Sequence, residues 1–201
     1  MLELMLRNKS MDINVCDSNS GVNAFWLACL YGHGNIMRML AEAGTDIYVT
    51  NHRKVNVLHL AILKNHYEIV KMLIESGFSL DEETSDGSSA LHLVALTNHH
   101  QIGDLILNHL MECGFKQSHV IDLISKPNPY TNMSPLGMTI LMNNNIIATQ
   151  LIINGAKCYY DYNIAQKDIS PIFLACEKEN TDLLELMCDH GCPLTVQNTA
   201  G

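Results

Sequence analysis

Hydrophobic and polar positions recur in blocks along this 201-residue chain. In the clearest block, Asn56 opens the apolar run Val57-Leu58-His59-Leu60-Ala61-Ile62. The polar pair Asn65-His66 interrupts it, and Ile69, Val70 and Leu73 follow at helical spacing before Gly77. A short apolar run, a polar break and a second stretch with apolar residues four apart predict two consecutive helices. Glycine just beyond the second is the usual left-handed helix stop.

The block repeats. Runs aligned with Asn56 start at 23, 56, 89, 134 and 170, so the spacings are 33, 33, 45 and 36. A second register agrees with the first: Gly44, Gly77, Gly114, Gly155 and Gly191 each follow, by eight residues, Ile36, Ile69, Ile106, Ile147 or Leu183. Four residues after those aliphatics come Leu40, Leu73, Leu110, Leu151 and Met187, on the same helical face. A period near 33 in two registers marks a repeat array, in which no unit buries its apolar face alone.

These residues resemble the ankyrin repeats. The family pattern Thr-Pro-Leu-His-x-Ala, then Gly-His, then a Leu-rich helix ending in Gly is matched by Leu58-His59-Leu60-Ala61 and by Gly32-His33. The resemblance implies an all-α fold, an ankyrin-repeat solenoid of stacked antiparallel helix pairs with projecting β-hairpin or loop fingers. A single array is expected over residues 1–201. It comprises a partial repeat at 1–16, repeats at 17–50, 51–84, 85–131 with an insertion, 132–162 and 163–198, and the start of another at 199–201. Leu2 and Leu6 read as an outer helix without its inner partner, so both ends are expected to be cut from a longer array. Small residues at Ala28, Ala61 and Ala175 are expected to bring inner helices close and curve the stack, with inner helices and fingers on the concave side. Leu60 is expected in the core.

Where the copies disagree is where the chain becomes specific. Trp26 replaces the family histidine and is read as a larger core residue, while Asn23 before it is a candidate N-cap. Asn65 stands at a family glycine position, as the next-best left-handed residue, and Glu179 stands at another, where a differently tightened turn is expected. His52-Arg53-Lys54 form a basic finger tip, and Asp81-Glu82-Glu83-Thr84-Ser85-Asp86 an acidic one. Either is a solvated turn or a partner contact. Gly114 comes 37 residues after Gly77, which lengthens the third outer helix by four residues, close to one turn. Beyond it, Val120-Ile121-Asp122-Leu123-Ile124 predicts a short extra helix, and Pro127 and Pro129 an extended exit. The fourth finger carries Tyr159, Tyr160 and Tyr162, a residue type enriched at interfaces.

Composition narrows the function. A 47% hydrophobic chain is long enough to bury a core, and no apolar run is long enough to span a membrane, so a cytoplasmic protein without direct membrane insertion is expected. A net charge of −9 and few arginines argue against nucleic acid. Seven cysteines without a Cys-x-x-Cys pair argue against a disulfide framework; Cys188 and Cys192 read as buried thiols, and no metal or cofactor is expected. No phosphate-binding, nucleophile-elbow or zinc-protease motif is present. His33, His59, His66, His92 and His99 fall at positions where the family uses structural histidines, and no catalytic residue is assigned.

The expected function is a non-catalytic protein-protein interaction scaffold that grips another protein or a peptide segment. By position in the family, the contact residues are Leu30, Tyr31, Leu63, Lys64, Leu96, Thr97, Leu141 and Met142 on inner helices, with His52, Arg53, Asp86 and Tyr160 on fingers. Two other readings follow from the resemblance: a regulatory or targeting part of a larger enzyme or ion channel, and an architectural spacer in a cytoskeletal or ciliary assembly. A catalytic domain or membrane helices in the full-length product would mark the first; contacts spread over both faces would mark the second. Oligomeric state stays open.

Overall fold

A computed structural model describes residues 12–114, 116–159 and 170–192 of the chain. Among the described residues there are eleven helices and no strands. In chain order they are α1 (Ala24–Leu30), α2 (Gly34–Glu42), α3 (Val57–Leu63), α4 (Tyr67–Glu75), α5 (Ala90–Thr97) and α6 (His100–Glu112), then α7 (Gln117–Ser125), α8 (Pro135–Leu141), α9 (Asn145–Ile153), α10 (Pro171–Glu177) and α11 (Thr181–Asp189). All but α7 form five pairs, each a short inner helix followed at once by an outer one.

Side-chain caps set the start of inner helices α1, α3 and α8. The Asn23 side chain accepts from Trp26 N at 3.1 Å, Asn56 from His59 N at 2.8 Å and Ser134 from Gly137 N at 3.1 Å. Pro135 and Pro171 occupy first-turn positions where a missing N–H leaves nothing unpaired. Each inner helix ends in a left-handed residue: Gly32, Asn65, Asn98, Asn143 or Glu179, with φ of 75°, 57°, 57°, 58° and 53°. Glu179 thus makes the same turn as its glycine and asparagine counterparts, rather than a differently tightened one. Its backbone tolerates what its side chain disfavours because Glu179 N and Asn180 N reach Cys176 O and Ala175 O, both at 3.0 Å.

Outer helices stop with equal regularity. At the second pair, Gly77 N bonds Ile74 O at 3.0 Å and Phe78 N bonds Leu73 O at 3.1 Å, the arrangement that satisfies a helix's last carbonyls through one left-handed residue. A Cβ on Gly77 would meet nothing within 4 Å, so glycine is required here by φ (+84°) and not by space.

The fold divides at Asp86 and Gly87 into two units. In the first, α1 packs on α2 and α3, and α3 on α4. In the second, inner helices α5, α8 and α10 contact one another in sequence, and outer helices α6, α9 and α11 do the same behind them. The repeating register is buried at Ile69, Ile106, Ile147 and Leu183, and at Leu40, Leu73, Leu110, Leu151 and Met187, while Ile36 is only half-buried. Ala61 and Ala175 are completely buried and Ala28 nearly so, and Leu60 is 5% exposed.

Two expectations about the third repeat meet the structure. Outer helix α6 has thirteen residues against nine in α4, the extra turn read from the glycine spacing. The predicted extra helix is α7, which packs on α6 and α8. It is tied further by Lys157 N donating to Ser125 Oγ at 2.9 Å and by Lys157 Nζ to Asp122 at 2.9 Å. Lys126, with ψ of 121°, enters Pro127 in the expected extended form, but Pro129 does not continue it. Asn128 N bonds Met133 O at 2.9 Å and Asn132 N bonds Asn128 O at 2.8 Å, closing Pro129-Tyr130 into a turn. Residues 1–11, the opening outer helix among them, and the start of a further repeat at 199–201 lie outside the described residues.

Candidate partner-binding surface

The inner helices end in exposed apolar side chains. In the first unit Tyr31 is 68% exposed and Leu63 38%; in the second, Leu96 is 47%, Leu141 40% and Met142 46%. Position explains this. Within each inner helix the middle residues face neighbouring helices, as Leu58, Ala61 and Ile62 do, and the last turn runs past that contact. In unit two, α5 touches α8 and α8 touches α10, so Leu96, Leu141 and Met142 stand at corresponding ends of neighbouring helices, and the charged pair Glu177-Lys178 follows on α10. Leu30 is only half-buried, Lys64 is exposed, and Thr97 is half-buried with its hydroxyl donating to Leu93 O at 2.9 Å. Tyr31 stacks on His33 with ring centroids 6.2 Å apart.

The fingers are turns built on one acceptor side chain each. Asp17 accepts from Ser20 N at 2.8 Å, Asn51 from Arg53 N at 2.9 Å and Val55 N at 3.0 Å, and Asn128 from Tyr130 N at 2.9 Å and Thr131 N at 3.0 Å. The Ser20 hydroxyl and amide on its carboxylate hold Asp17 below the usual carboxylate range. Within the first unit successive fingers lean on each other. The His52 ring lies over Gly21, where a Cβ would stand 3.3 Å from His52 Cε1, and Ser85 N donates to Arg53 O at 2.8 Å. His52 and Arg53 remain exposed. Asp86 is exposed as well, with its carboxylate accepting from the Thr84 hydroxyl. In the second unit Pro129 and Tyr130 cover Gly87 so closely that a Cβ there would fall 2.7 Å from Pro129 Cδ. Tyr160 lies outside the described residues, as does Tyr162.

His59 and His92 stand in structural roles. His59 is 1% exposed; Nδ1 accepts from Asn56 N at 3.4 Å, and Nε2 bonds Glu82 O at 3.0 Å. Burial pulls its pKa below the ordinary value, against the opposing pull of the Glu82 carbonyl and carboxylate. His92 is bound likewise, with Nδ1 2.8 Å from Ser89 Oγ and Nε2 3.1 Å from Met133 O. Trp26 keeps half of this arrangement: its indole N–H donates to Val55 O at 3.1 Å, and indole offers no ring acceptor to return a bond to the cap. Among the described residues no group of His, Cys, Asp and Glu is placed to hold a metal ion, and no helix is long and apolar enough to cross a membrane. Of the two cysteines read as buried thiols, Cys192 is buried and Cys188 is exposed, because Cys188 sits on the outer face of α11's last turn.

The family model for ankyrin repeats (3 copies) matches residues 1–84 and 58–159. The chain belongs to the ankyrin-repeat family. The fifth helix pair, beyond the matched residues, is built like the other four, with Ser170 at the cap position, a left-handed Glu179 and a closing Gly191. Ankyrin repeats are in general protein-protein interaction modules, and members of the family are typically non-catalytic. A comparison with curated proteins returns no match. Tyr130, 76% exposed on the turn before α8, was not among the residues expected by position in the family. The signal was present in Asn128, which repeats the role of Asn51, but two prolines and a preceding insertion hid the register.

Proposed function

We propose that this chain is a non-catalytic scaffold that binds another protein or a peptide segment through the exposed ends of its inner helices and the adjoining finger turns. The observation that carries this reading is the pair Leu96 and Leu141 at matching positions of neighbouring inner helices, with Met142 beside Leu141, each at least 40% exposed. Single exposed leucines are ordinary on a protein surface; exposed leucine at one position of three repeats, Leu63, Leu96 and Leu141, is not required by the core. Leu63, at the same position as Leu96 and Leu141, and Tyr31 are exposed at inner-helix ends of the first unit, and Lys64, His52 and Arg53 are exposed in that unit as well. Leu30, Thr97, Asp86 and Tyr160 complete the proposed contact set.

The test is comparative affinity capture. Wild-type chain and a Leu96→Glu/Leu141→Glu/Met142→Glu variant are used as paired baits, with circular dichroism showing equal helix content. The proposal expects a partner retained by the wild type and lost, by tenfold or more, from the variant, since desolvating three buried carboxylates opposes docking strongly. Equal retention of that partner by both baits contradicts the assignment.

A further inference from the structure

The outer helices close on a position where the third repeat departs from the others. At the C-caps of α4, α9 and α11 the side chain turns back to the carbonyl four residues earlier. Ser76 Oγ donates to Met72 O at 2.7 Å, Asn154 Nδ2 to Gln150 O at 2.7 Å and His190 Nδ1 to Leu186 O at 2.9 Å. In α6 the C-cap is Cys113, and its sulfur lies instead 3.2 Å from Nε2 of His109, one turn back on the same face. Cys113 is exposed and His109 half-buried. The backbone next to Cys113 is open, since a Cβ on Gly114 would meet nothing within 4 Å. Among the described residues no other thiol is hydrogen-bonded to an imidazole. Burial pushes the Cys29 and Cys158 thiols up to about 12 and raises Cys192 as well. Of the exposed thiols, Cys16 gives its hydrogen to Asn14 O at 3.4 Å, an oxygen too weakly basic to take the proton, and Cys176 and Cys188 stand on α10 and α11.

We propose that Cys113 is a site of covalent modification by α,β-unsaturated carbonyl compounds, with His109 as its general base. The neutral imidazole, its hydrogen on Nδ1, accepts the thiol hydrogen at Nε2. As the sulfur attacks the β-carbon of the electrophile, the thiol proton passes to Nε2. The C–S bond forms, the carbon–carbon π pair shifts so that the charge rests on the carbonyl oxygen, and an enolate stands beside an imidazolium. The imidazolium then returns its proton to the α-carbon, and the neutral ring is restored. In sum, one thiol and one alkene become one thioether, with no leaving group and no further reactant. The place of the pair favours the step, because His109 stands in the last turn of α6, where the unpaired carbonyls of a helix end stabilise a cation. The class of electrophile follows from the same geometry. An addition takes up and gives back one proton at one ring nitrogen, so two side chains suffice. The adduct is carried on an outer helix, whereas the proposed contact residues stand on inner helices and fingers.

The experiment treats the reduced chain at pH 7 with acrylamide, a weak and neutral acceptor of this class, quenches samples over time with excess dithiothreitol, and follows each cysteine peptide by mass spectrometry. The proposal expects Cys113 to be labelled about tenfold or more faster than Cys176, an exposed thiol on α10. His109→Gln lowers the Cys113 rate about tenfold or more and leaves the Cys176 rate unchanged, which also shows that the fold is intact. His109→Lys, which keeps a cation but has no free lone pair at pH 7, labels as slowly as His109→Gln. Equal rates at Cys113 and Cys176 in the wild type overturn the proposal, as does an unchanged Cys113 rate in His109→Gln. Recovery of the wild-type rate in His109→Lys overturns it equally, because His109 would then act as a charge and not as a base.

Discussion

At His59 the neutral imidazole is the form the surroundings accept: one ring nitrogen takes the Asn56 amide and the other gives its hydrogen to the Glu82 carbonyl. Burial lowers its pKa in the folded chain, so the unfolded chain takes up this proton first as pH falls. The stability this residue contributes is therefore complete above the unfolded value of about 6.5, and is lost as pH drops from there toward the lowered folded value. Urea midpoints of the wild type should fall between pH 7.5 and 5.5, and His59→Gln should show a smaller fall; equal falls would remove His59 as the source. The histidine's position was legible in the sequence because its motif is local. The bond kept by Trp26 was not, since it depends on where Val55 O lies in the next repeat. Glu179 was misread for a related reason. A left-handed turn set by Cys176 O and Ala175 O imposes itself on whatever residue is there. Glu179→Gly should accordingly raise stability by about 1 kcal/mol in denaturant titration, as relief of a left-handed non-glycine residue.

Helices repeat the residue logic over seven to thirteen positions. The core side of α3 is set by Leu58, Leu60, Ala61 and Ile62, all buried. Leu60→Ala should cost on the order of 2 to 5 kcal/mol through lost packing and a residual cavity, and an unchanged unfolding midpoint would show that α3 faces elsewhere. Helix existence and order were readable because apolar spacing and punctuating glycines agree at five places in the chain. The extra turn of α6 was readable by the same count. What α7 packs against was not, because its partners, Lys157 and the face of α8, come later in the chain and are joined to it only by the fold. The turn at Asn128 was misread because proline restricts the backbone locally but does not forbid the bond from Asn128 N to Met133 O, which bridges over Pro129.

In the whole molecule the repeat leaves one feature in each unit that the core does not require, the exposed apolar end of the inner helices. Its existence was foreseeable by position: Leu63, Leu96, Leu141 and Met142 were chosen from the repeat register, and each is exposed. Whether those residues touch a partner is a property of a second molecule, which neither apolar periodicity nor capping encodes. Exposed apolar residues also stand on outer helices, at Met111, Ile146 and Ile153, and they are the natural competitor. Oxidative footprinting of the chain, free and in complex with a captured partner, separates the two faces directly. The account predicts protection at Tyr31, Leu63, Leu96, Leu141 and Met142, with Met111, Ile146 and Ile153 labelled as in the free chain. Protection confined to Met111, Ile146 and Ile153 would contradict it.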